Sequence, residues 1–148
     1  MYHVTKHYPH SLGLSVAFRQ PGATSHCKYL HGYALAFTFE FEAEELDENN
    51  WVIDFGSLKR LKEWLVETFD HKTVVSNDDP MLHTFQELNG TLIDLRVLPA
   101  VGMEAFAKLA FGACCHVIMT TGNFPRVRLT KVTVAEHEGN SASYSEPL

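Results

Sequence analysis

A strictly alternating stretch at residues 34–42 constrains the fold of this chain more than any other feature. One set of positions is dominated by large apolar side chains, and the positions between them are small or polar. Successive side chains of a β-strand point to opposite faces, so the pattern predicts an antiparallel strand with one face buried. The apolar set is Leu35, Phe37, Phe39 and Phe41, and the other set is Ala36, Thr38, Glu40 and Glu42.

Further strand patterns lie near the two ends of the chain. Residues 2–18 alternate loosely and predict a first strand, with a bend near Pro9. The strand predicted at residues 126–136 changes phase part-way along, which a bulge near Thr130 would reconcile. A turn then leads to a short final strand at residues 142–144.

Two amphipathic helices are predicted between these strands. Apolar residues recur at three- and four-residue steps over residues 58–69 and again over residues 103–119. Asp54 or Ser57 can cap the first helix, because both side chains accept hydrogen bonds from free backbone N–H groups.

The segment between the helices, residues 72–99, has weaker patterns. It predicts a turn at residues 76–80, a short helix at 81–88 and a short strand at 92–98. Strands, helices and then strands again are typical of an α+β domain with an antiparallel sheet. With 148 residues, we expect one domain over residues 1–148.

Composition narrows the class of protein. Hydrophobic residues make up 45% and charged residues 20%, which is ordinary for a globular protein. The net charge is −6 and no basic run is present, which argues against nucleic acid as a partner. Lys108 interrupts the most apolar stretch, so we expect no membrane span. Three cysteines without a disulfide framework, and no signal-peptide pattern, predict a cytoplasmic protein.

Residues 26–33 hold the densest group of reactive side chains: a thiol, two imidazoles and two phenols. The whole chain has nine histidines. Cys27 is the candidate nucleophile or base, because the neighbouring His26 and Lys28 favour its thiolate form. An ordinary loop cysteine is an equally good interpretation of the sequence. Cys114 and Cys115 lie in an apolar helix and are predicted to be packing residues.

Two more positions can support acid–base or binding chemistry. Asp70 beside His71 can orient the imidazole and stabilise its charged form, although capping of a helix end is the simpler interpretation. Glu136 shares the strand phase of Val132 and Val134, so its carboxylate is directed towards an apolar face and needs a partner. The N–H groups of a ligand would serve, and escape to water at the strand end is the alternative.

Five short motifs occur in order along nearly the whole chain. They are residues 27–33 (CKYLHGY), 52–55 (VIDF) with Leu58-Lys59, 69–71 (FDH), 102–107 (GMEAFA), and 134–136 (VAE) with Tyr144. Their order and spacing resemble the 6-pyruvoyltetrahydropterin and 6-carboxytetrahydropterin synthase family. Residues 72–99 form a longer connection than this resemblance leads us to expect.

The resemblance implies a T-fold (tunnelling fold), an antiparallel four-stranded sheet with two main helices on one face. It also implies trimers that stack into a homohexamer, with active sites between subunits. The implied substrate is 7,8-dihydroneopterin triphosphate, which loses its triphosphate.

The resemblance also implies roles for particular residues. Cys27 would be the general base, and Asp70 with His71 the proton-shuttling dyad from a neighbouring subunit. Glu136 would accept hydrogen bonds from the pterin ring, and Glu104 lies where a second ring contact is expected. These residue types suit the chemistry, because a carboxylate matches a guanidine-like pair of N–H donors.

The implied cofactor is zinc, and here the sequence departs from the family. Three histidines hold the metal in the family, but the matching positions in this chain are Phe18, His31 and Tyr33. A catalytic zinc normally has three protein ligands, and a phenyl ring cannot coordinate. We therefore expect zinc to be lost or much weakened. The alternatives are weak coordination by Tyr33 or a site rebuilt with His26, His7 or His10.

Three functions follow from this comparison. The first is a lyase of the 6-carboxytetrahydropterin synthase type, feeding deazapurine (queuosine) or pterin synthesis. The second is a pterin-binding homologue with lost or altered catalysis, and the third is a metal-independent, aldolase-type pterin activity. The presence of Cys27, Asp70, His71 and Glu136 together favours an enzyme.

Overall fold

A computed structural model describes residues 1–147, which form a seven-stranded mixed sheet with three α-helices. The α+β class predicted from sequence is confirmed. The strands are β1 (Tyr2–Tyr8), β2 (Leu14–Phe18), β3 (His31–Ala43), β4 (Lys72–Ser76), β5 (Leu95–Leu98), β6 (Arg128–His137) and β7 (Asn140–Tyr144). The helices are α1 (Lys59–Phe69), α2 (Leu82–Leu88) and α3 (Met103–Thr120).

The alternating stretch is the central strand β3, as predicted. Its four large apolar side chains are at most 1% exposed and form the middle of the hydrophobic core. β3 pairs with β1 and β2 on one side and with β6 on the other. A buried strand with partners on both sides fixes the register of the sheet, because a one-residue slip would turn the phenylalanines out of the core.

The single strand predicted over residues 2–18 is wrong, because the chain breaks there into β1 and β2. A one-turn 3-10 helix at His10–Leu12 separates them, and Gly13 follows with a positive φ of 78°. Positive φ is accessible to glycine without steric cost, so the chain can turn at this point. Both strands still pair with β3, β1 with its second half and β2 with its first half.

The predicted bulge in β6 is confirmed. Glu40 of β3 faces Lys131, while the next residue, Phe41, faces Leu129. Thr130 is therefore the extra residue, and its hydroxyl donates to the carbonyl of Glu40 at 3.0 Å. The bulge keeps apolar side chains of β6 on the core face along its whole length.

The expected four-stranded antiparallel sheet is also wrong in its details. β4 pairs parallel to β2, and β5 pairs parallel to β4, so residues 72–99 widen the sheet by two parallel strands. Parallel neighbours need a crossover connection, which α2 supplies between β4 and β5. The short helix and short strand predicted in this segment are present, but β4, which is largely buried, was not predicted.

Helices α1 and α3 pack on one face of the sheet. Asp54 caps the one-turn 3-10 helix that precedes α1, accepting from the N–H of Gly56 at 2.8 Å. By length and composition α3 could cross a membrane, despite Lys108. It packs instead as a core helix, with Phe106, Ala110 and Cys114 fully buried.

Candidate active site

Cys27 lies in the loop between β2 and β3, in a single 3-10 turn at His26–Lys28. Ser25 caps this turn, since its hydroxyl accepts from the backbone N–H of Cys27 at 3.4 Å. The cysteine is partly exposed and forms no disulfide. The other two cysteines lie in α3, as predicted, with Cys114 buried and Cys115 half-buried. Cys27 is thus an accessible thiol.

The positions that match the family's metal ligands form an aromatic cluster. Phe18, at the end of β2, pairs with His31 at the start of β3, and their ring centres are 5.1 Å apart. Tyr33 completes the group, with its ring 5.5 Å from His31 and 6.1 Å from Phe18. The Phe18 ring is also packed edge-on against Phe106 of α3 and is 3% exposed.

This cluster does not fit zinc. Phe18 offers no lone pair, and its buried ring takes the place of one of the three ligands that a catalytic zinc normally has. Across residues 1–147 no group of three His, Cys, Asp or Glu side chains could hold a metal ion. His7 and His10 do not rebuild the site, because they contact Thr38 and the carbonyl of Ala34 instead; His26 likewise belongs to no such group.

Tyr33 is close to both the candidate base and the candidate ring-binding carboxylate. Burial raises the pKa of its phenol, and the nearby Glu136 and Cys27 raise it further. The phenol therefore stays protonated at neutral pH and can donate a hydrogen bond. Glu136 is half-buried, and it lies where the pairing of β6 with β7 shifts register between Ala135 and His137. Its Oε1 accepts from the side-chain amide of Asn140 at 2.8 Å.

Glu104 lies in the first turn of α3, two residues before the phenylalanine that contacts the aromatic cluster. Its side chain is exposed. The structure therefore brings Cys27, Tyr33 and Glu136 together at one end of the helix-covered face, with Glu104 at the adjoining end of α3.

Asp70 and His71 lie away from this group. The Nδ1 of His71 is 2.8 Å from Oδ1 of Asp70, and the backbone N–H of His71 donates to the carbonyl of Ser15 at 2.7 Å. Ser15 is near the start of β2, whereas the Cys27 loop follows the end of that strand. Within one chain, the dyad and the thiol are therefore anchored at opposite ends of β2.

His71 has an unusual backbone and an open environment. Its φ is 56°, which is uncommon for a residue other than glycine, and its side chain is 84% exposed. A hollow of about 470 Å³ lies beside it, lined in part by the loop at residues 89–94. Strained residues of this kind cluster at functional sites, which supports a role for the dyad.

One contact near Cys27 has no signal in the sequence. Arg19 forms a two-pronged salt bridge with Asp79, with Nε–Oδ2 and Nη2–Oδ1 distances of 2.9 and 2.6 Å. The hydrogen bond from Arg19 lowers the pKa of Asp79, and the same bond raises the pKa of the Arg19 guanidinium. Turn chemistry predicts the loop around Asp79, but no pattern predicts a partner 60 residues away.

The family model described as 6-pyruvoyl tetrahydropterin synthase matches residues 3–147. The chain belongs to this family. A 6-carboxy-5,6,7,8-tetrahydropterin synthase from Aquifex aeolicus is 23% identical over 137 residues, covering 90% of this chain and 85% of that protein. The synthase of the same name from Rickettsia conorii is 39% identical over 54 residues, 36% of this chain and 39% of that one.

Solved structures show the same fold. An uncharacterized protein from Wolinella succinogenes has a TM-score of 0.81 at 19% identity, covering 99% of this chain and 98% of that chain. The 6-pyruvoyl tetrahydropterin synthase of Plasmodium falciparum has a TM-score of 0.69 at 14% identity, with the same coverage. The family predicted from the motifs is confirmed.

Proposed function

We propose that this tetrahydropterin synthase homologue is a lyase of the 6-carboxytetrahydropterin synthase type. Its substrate would be 7,8-dihydroneopterin triphosphate, and its product would feed deazapurine (queuosine) or pterin synthesis. The proposal is carried by the placement of an accessible thiol and a half-buried carboxylate around Tyr33, at one end of the helix-covered face. The Aquifex relative, named for this activity and aligned over 90% of the chain, supports it.

The ring and the side chain of the substrate would be held by different groups. Glu136 would accept two hydrogen bonds from the amino and ring N–H groups of the pterin, replacing its contact with Asn140. Glu104 would supply a second contact to the ring. An edge with paired donors matches a carboxylate, so binding would direct the substrate's side chain towards the thiol.

Proton removal would fall to Cys27 and departure of the triphosphate would follow. The thiolate takes a proton from a side-chain carbon, and the electron pair left behind forms a new double bond as the carbon–oxygen bond to triphosphate breaks. Tyr33, protonated at neutral pH, can donate a hydrogen bond to an oxygen on the substrate side chain. No step is assigned to zinc, because the residues at its family position do not fit the metal.

The dyad would complete the site from a neighbouring subunit. Asp70 contacts Nδ1 of His71, which leaves Nε2 of an exposed imidazole free to carry protons. We propose a homohexamer of single T-fold domains, each spanning residues 1–148, with no nucleic-acid or membrane partner and a cytoplasmic location. Such an assembly would bring the dyad of one chain to the thiol of another.

A second candidate is favoured by the aromatic cluster. With Phe18 packed where the family's metal would lie, the chain could bind pterins with lost or altered catalysis, or carry out a metal-independent, aldolase-type cleavage. Both outcomes keep the ring-binding role of Glu136. They differ from the first candidate in forming either no product or a different one.

Incubation with 7,8-dihydroneopterin triphosphate, using protein purified without a histidine tag, separates these candidates. We expect release of triphosphate and formation of a tetrahydropterin by the wild type. We expect a loss of at least about 100-fold in kcat for Cys27→Ala. Cys115→Ala, a thiol in α3, is the matched control and should retain activity. Tight pterin binding without turnover would exclude the lyase, and unchanged turnover in Cys27→Ala would exclude the proposed base.

A further inference from the structure

The salt bridge between Arg19 and Asp79 joins the loop that carries Cys27 to the segment that widens the sheet. Asp79 lies in the turn after β4, and its side chain is only 1% exposed. Its Oδ1 also accepts from the backbone N–H of Met81 at 2.8 Å. The carboxylate is thus fixed by its own turn and presents a rigid, charged acceptor to the guanidinium.

Arg19 uses a third N–H donor on the Cys27 loop. Its Nη1 donates to the carbonyl of Lys28 at 3.2 Å, while Nε and Nη2 are held by Asp79. The next residue, Gln20, donates its backbone N–H to the carbonyl of Cys27 at 2.9 Å. The carbonyls of Cys27 and of the residue after it are therefore held by two consecutive residues.

We propose that Asp79 is a positioning residue for Cys27 and acts through Arg19. The guanidinium is planar, so its contact with the carboxylate fixes the direction of the donor that reaches the Lys28 carbonyl. A salt bridge that served stability alone would not need this third bond into the reactive loop. Residues 72–99 would thereby support the active site as well as the sheet. The role of Cys27 rests on the function proposed above, but the restraint on its loop does not.

Hydrogen exchange of the backbone amides tests the restraint without any substrate. In Asp79→Ala we expect exchange in a peptide spanning residues 25–29 to accelerate at least about tenfold, because the released Arg19 no longer holds that turn. Exchange in β3 should stay unchanged. Glu87→Ala is the matched control: this carboxylate forms an exposed ion pair with His83 in the same segment, far from any contact with the loop.

Arg19→Lys is the second variant, in case Asp79→Ala fails to fold. Lysine can pair with Asp79, but its compact ammonium cannot contact both carboxylate oxygens and the carbonyl as the guanidinium does. We expect a folded protein with faster exchange in residues 25–29. If substrate is turned over, kcat should fall at least about tenfold with KM within about twofold.

The outcomes distinguish a positioning role of Asp79 from a contribution to the stability of the fold alone. Unchanged exchange at residues 25–29 in both variants, or acceleration spread evenly over the sheet, would overturn the proposal. A variant with a lower melting temperature but a wild-type kcat would also overturn the proposal. If the wild type does not turn over dihydroneopterin triphosphate, the proposed function fails while local acceleration of exchange still supports the restraint.

Discussion

Phe18 is the clearest difference between this chain and a zinc-binding member of its family, because a phenyl ring replaces a metal ligand. Its ring and those of His31 and Tyr33 have centres 5.1 to 6.1 Å apart. Three imidazoles on one zinc ion would have ring centres about 5 Å apart, so the backbone positions still suit a metal. The ring spacing therefore suits a metal site, while two of the three side chains are not histidine.

Restoring two imidazoles should therefore restore a metal site. We expect Phe18→His/Tyr33→His to bind about one zinc per chain, while the wild type, purified without a tag, holds well below one. Phe18→His alone is the control, because it offers only two imidazoles. Atomic emission after desalting measures the metal, and one zinc per wild-type chain would contradict the prediction. The double variant should unfold at lower temperature without zinc, since it buries a polar ring at a site that is 3% exposed.

The Asp79 carboxylate makes stability depend on pH. Its pKa is lowered chiefly by the hydrogen bond from Arg19, so the unfolded chain takes up this proton at a higher pH than the folded chain does. The stabilisation is complete above the unfolded pKa of about 3.9 and is lost as pH falls from there through the lower folded value. Comparing the wild type with Asp79→Asn isolates the contribution of this carboxylate to stability.

We expect Asp79→Asn to lower the free energy of unfolding by about 2 kcal/mol at pH 7 and by the same amount at pH 5. Between pH 4 and pH 3 the difference from the wild type should shrink. Urea denaturation at fixed protein concentration measures both. A difference that grows as the pH falls would show that the carboxylate is not the stabilising form.

At the scale of elements, α3 begins at a position that only glycine suits. Gly102 has a φ of 114°, and a Cβ there would lie 2.5 Å from Nε2 of Gln20. That nitrogen donates to the carbonyl of Val101 at 2.8 Å and so joins the start of α3 to the Cys27 loop. Gly112 lies within α3, and a Cβ there would have no heavy atom within 4 Å.

The same substitution at these two glycines should have opposite effects. Gly102→Ala forces a left-handed conformation on alanine and displaces Gln20, so we expect a loss of about 1–3 kcal/mol in the free energy of unfolding. Gly112→Ala should gain about 0.5–1 kcal/mol, because alanine favours the helix and fits without a clash. Urea denaturation of both variants provides the comparison. Equal effects would refute the role of the glycine at the start of α3.

Elements were predictable where one face of a regular pattern is buried. The alternation of β3 and the phase change at Thr130 predicted a strand and a bulge, and both are present. β4 was missed because Thr73, Val74 and the two residues after them are all buried, so no alternation marks the strand. The parallel pairing of β4 with β2 then brings Asp79 near Arg19. Short-range sequence patterns could not predict this contact between Asp79 and Arg19.

The motifs predicted Cys27, Glu136 and the Asp70–His71 pair as site residues because each is a short local signature. The structure brings the first two towards Tyr33 and leaves the pair at the other end of β2. Their functional roles are still predictions. A sequence pattern can identify the residues of a site divided between subunits, but not the contact that would join them.

At the scale of the whole molecule, the sheet has a covered face and a polar face. The helices bury one side, and the other carries charged pairs such as Glu40 with Lys131, 2.7 Å apart, and Glu42 with Arg128. A polar face of this kind suits the water-filled interior of a barrel formed by several subunits. Six chains of 16.7 kDa would have a mass of about 100 kDa, which light scattering can measure.

Mixing inactive variants tests whether the active site is shared. We expect Cys27→Ala and His71→Ala each to abolish activity, and coexpression of the two to recover about a quarter of the wild-type activity. In a random assembly, one site in four would join an intact thiol from one subunit to an intact dyad from its neighbour.

The matched control is coexpression of Cys27→Ala with Glu136→Gln. Tyr33 is close to both of these residues within one chain, so thiol and carboxylate belong to the same subunit's part of the site. Every site in this mixture would lack one of the two, and no activity should return. Recovery only in the first mixture would show that the dyad acts on a neighbouring subunit. Equal recovery of activity in both mixtures, or no recovery in either, would contradict an active site shared between subunits. The thiol of one chain would then not work with the dyad of its neighbour.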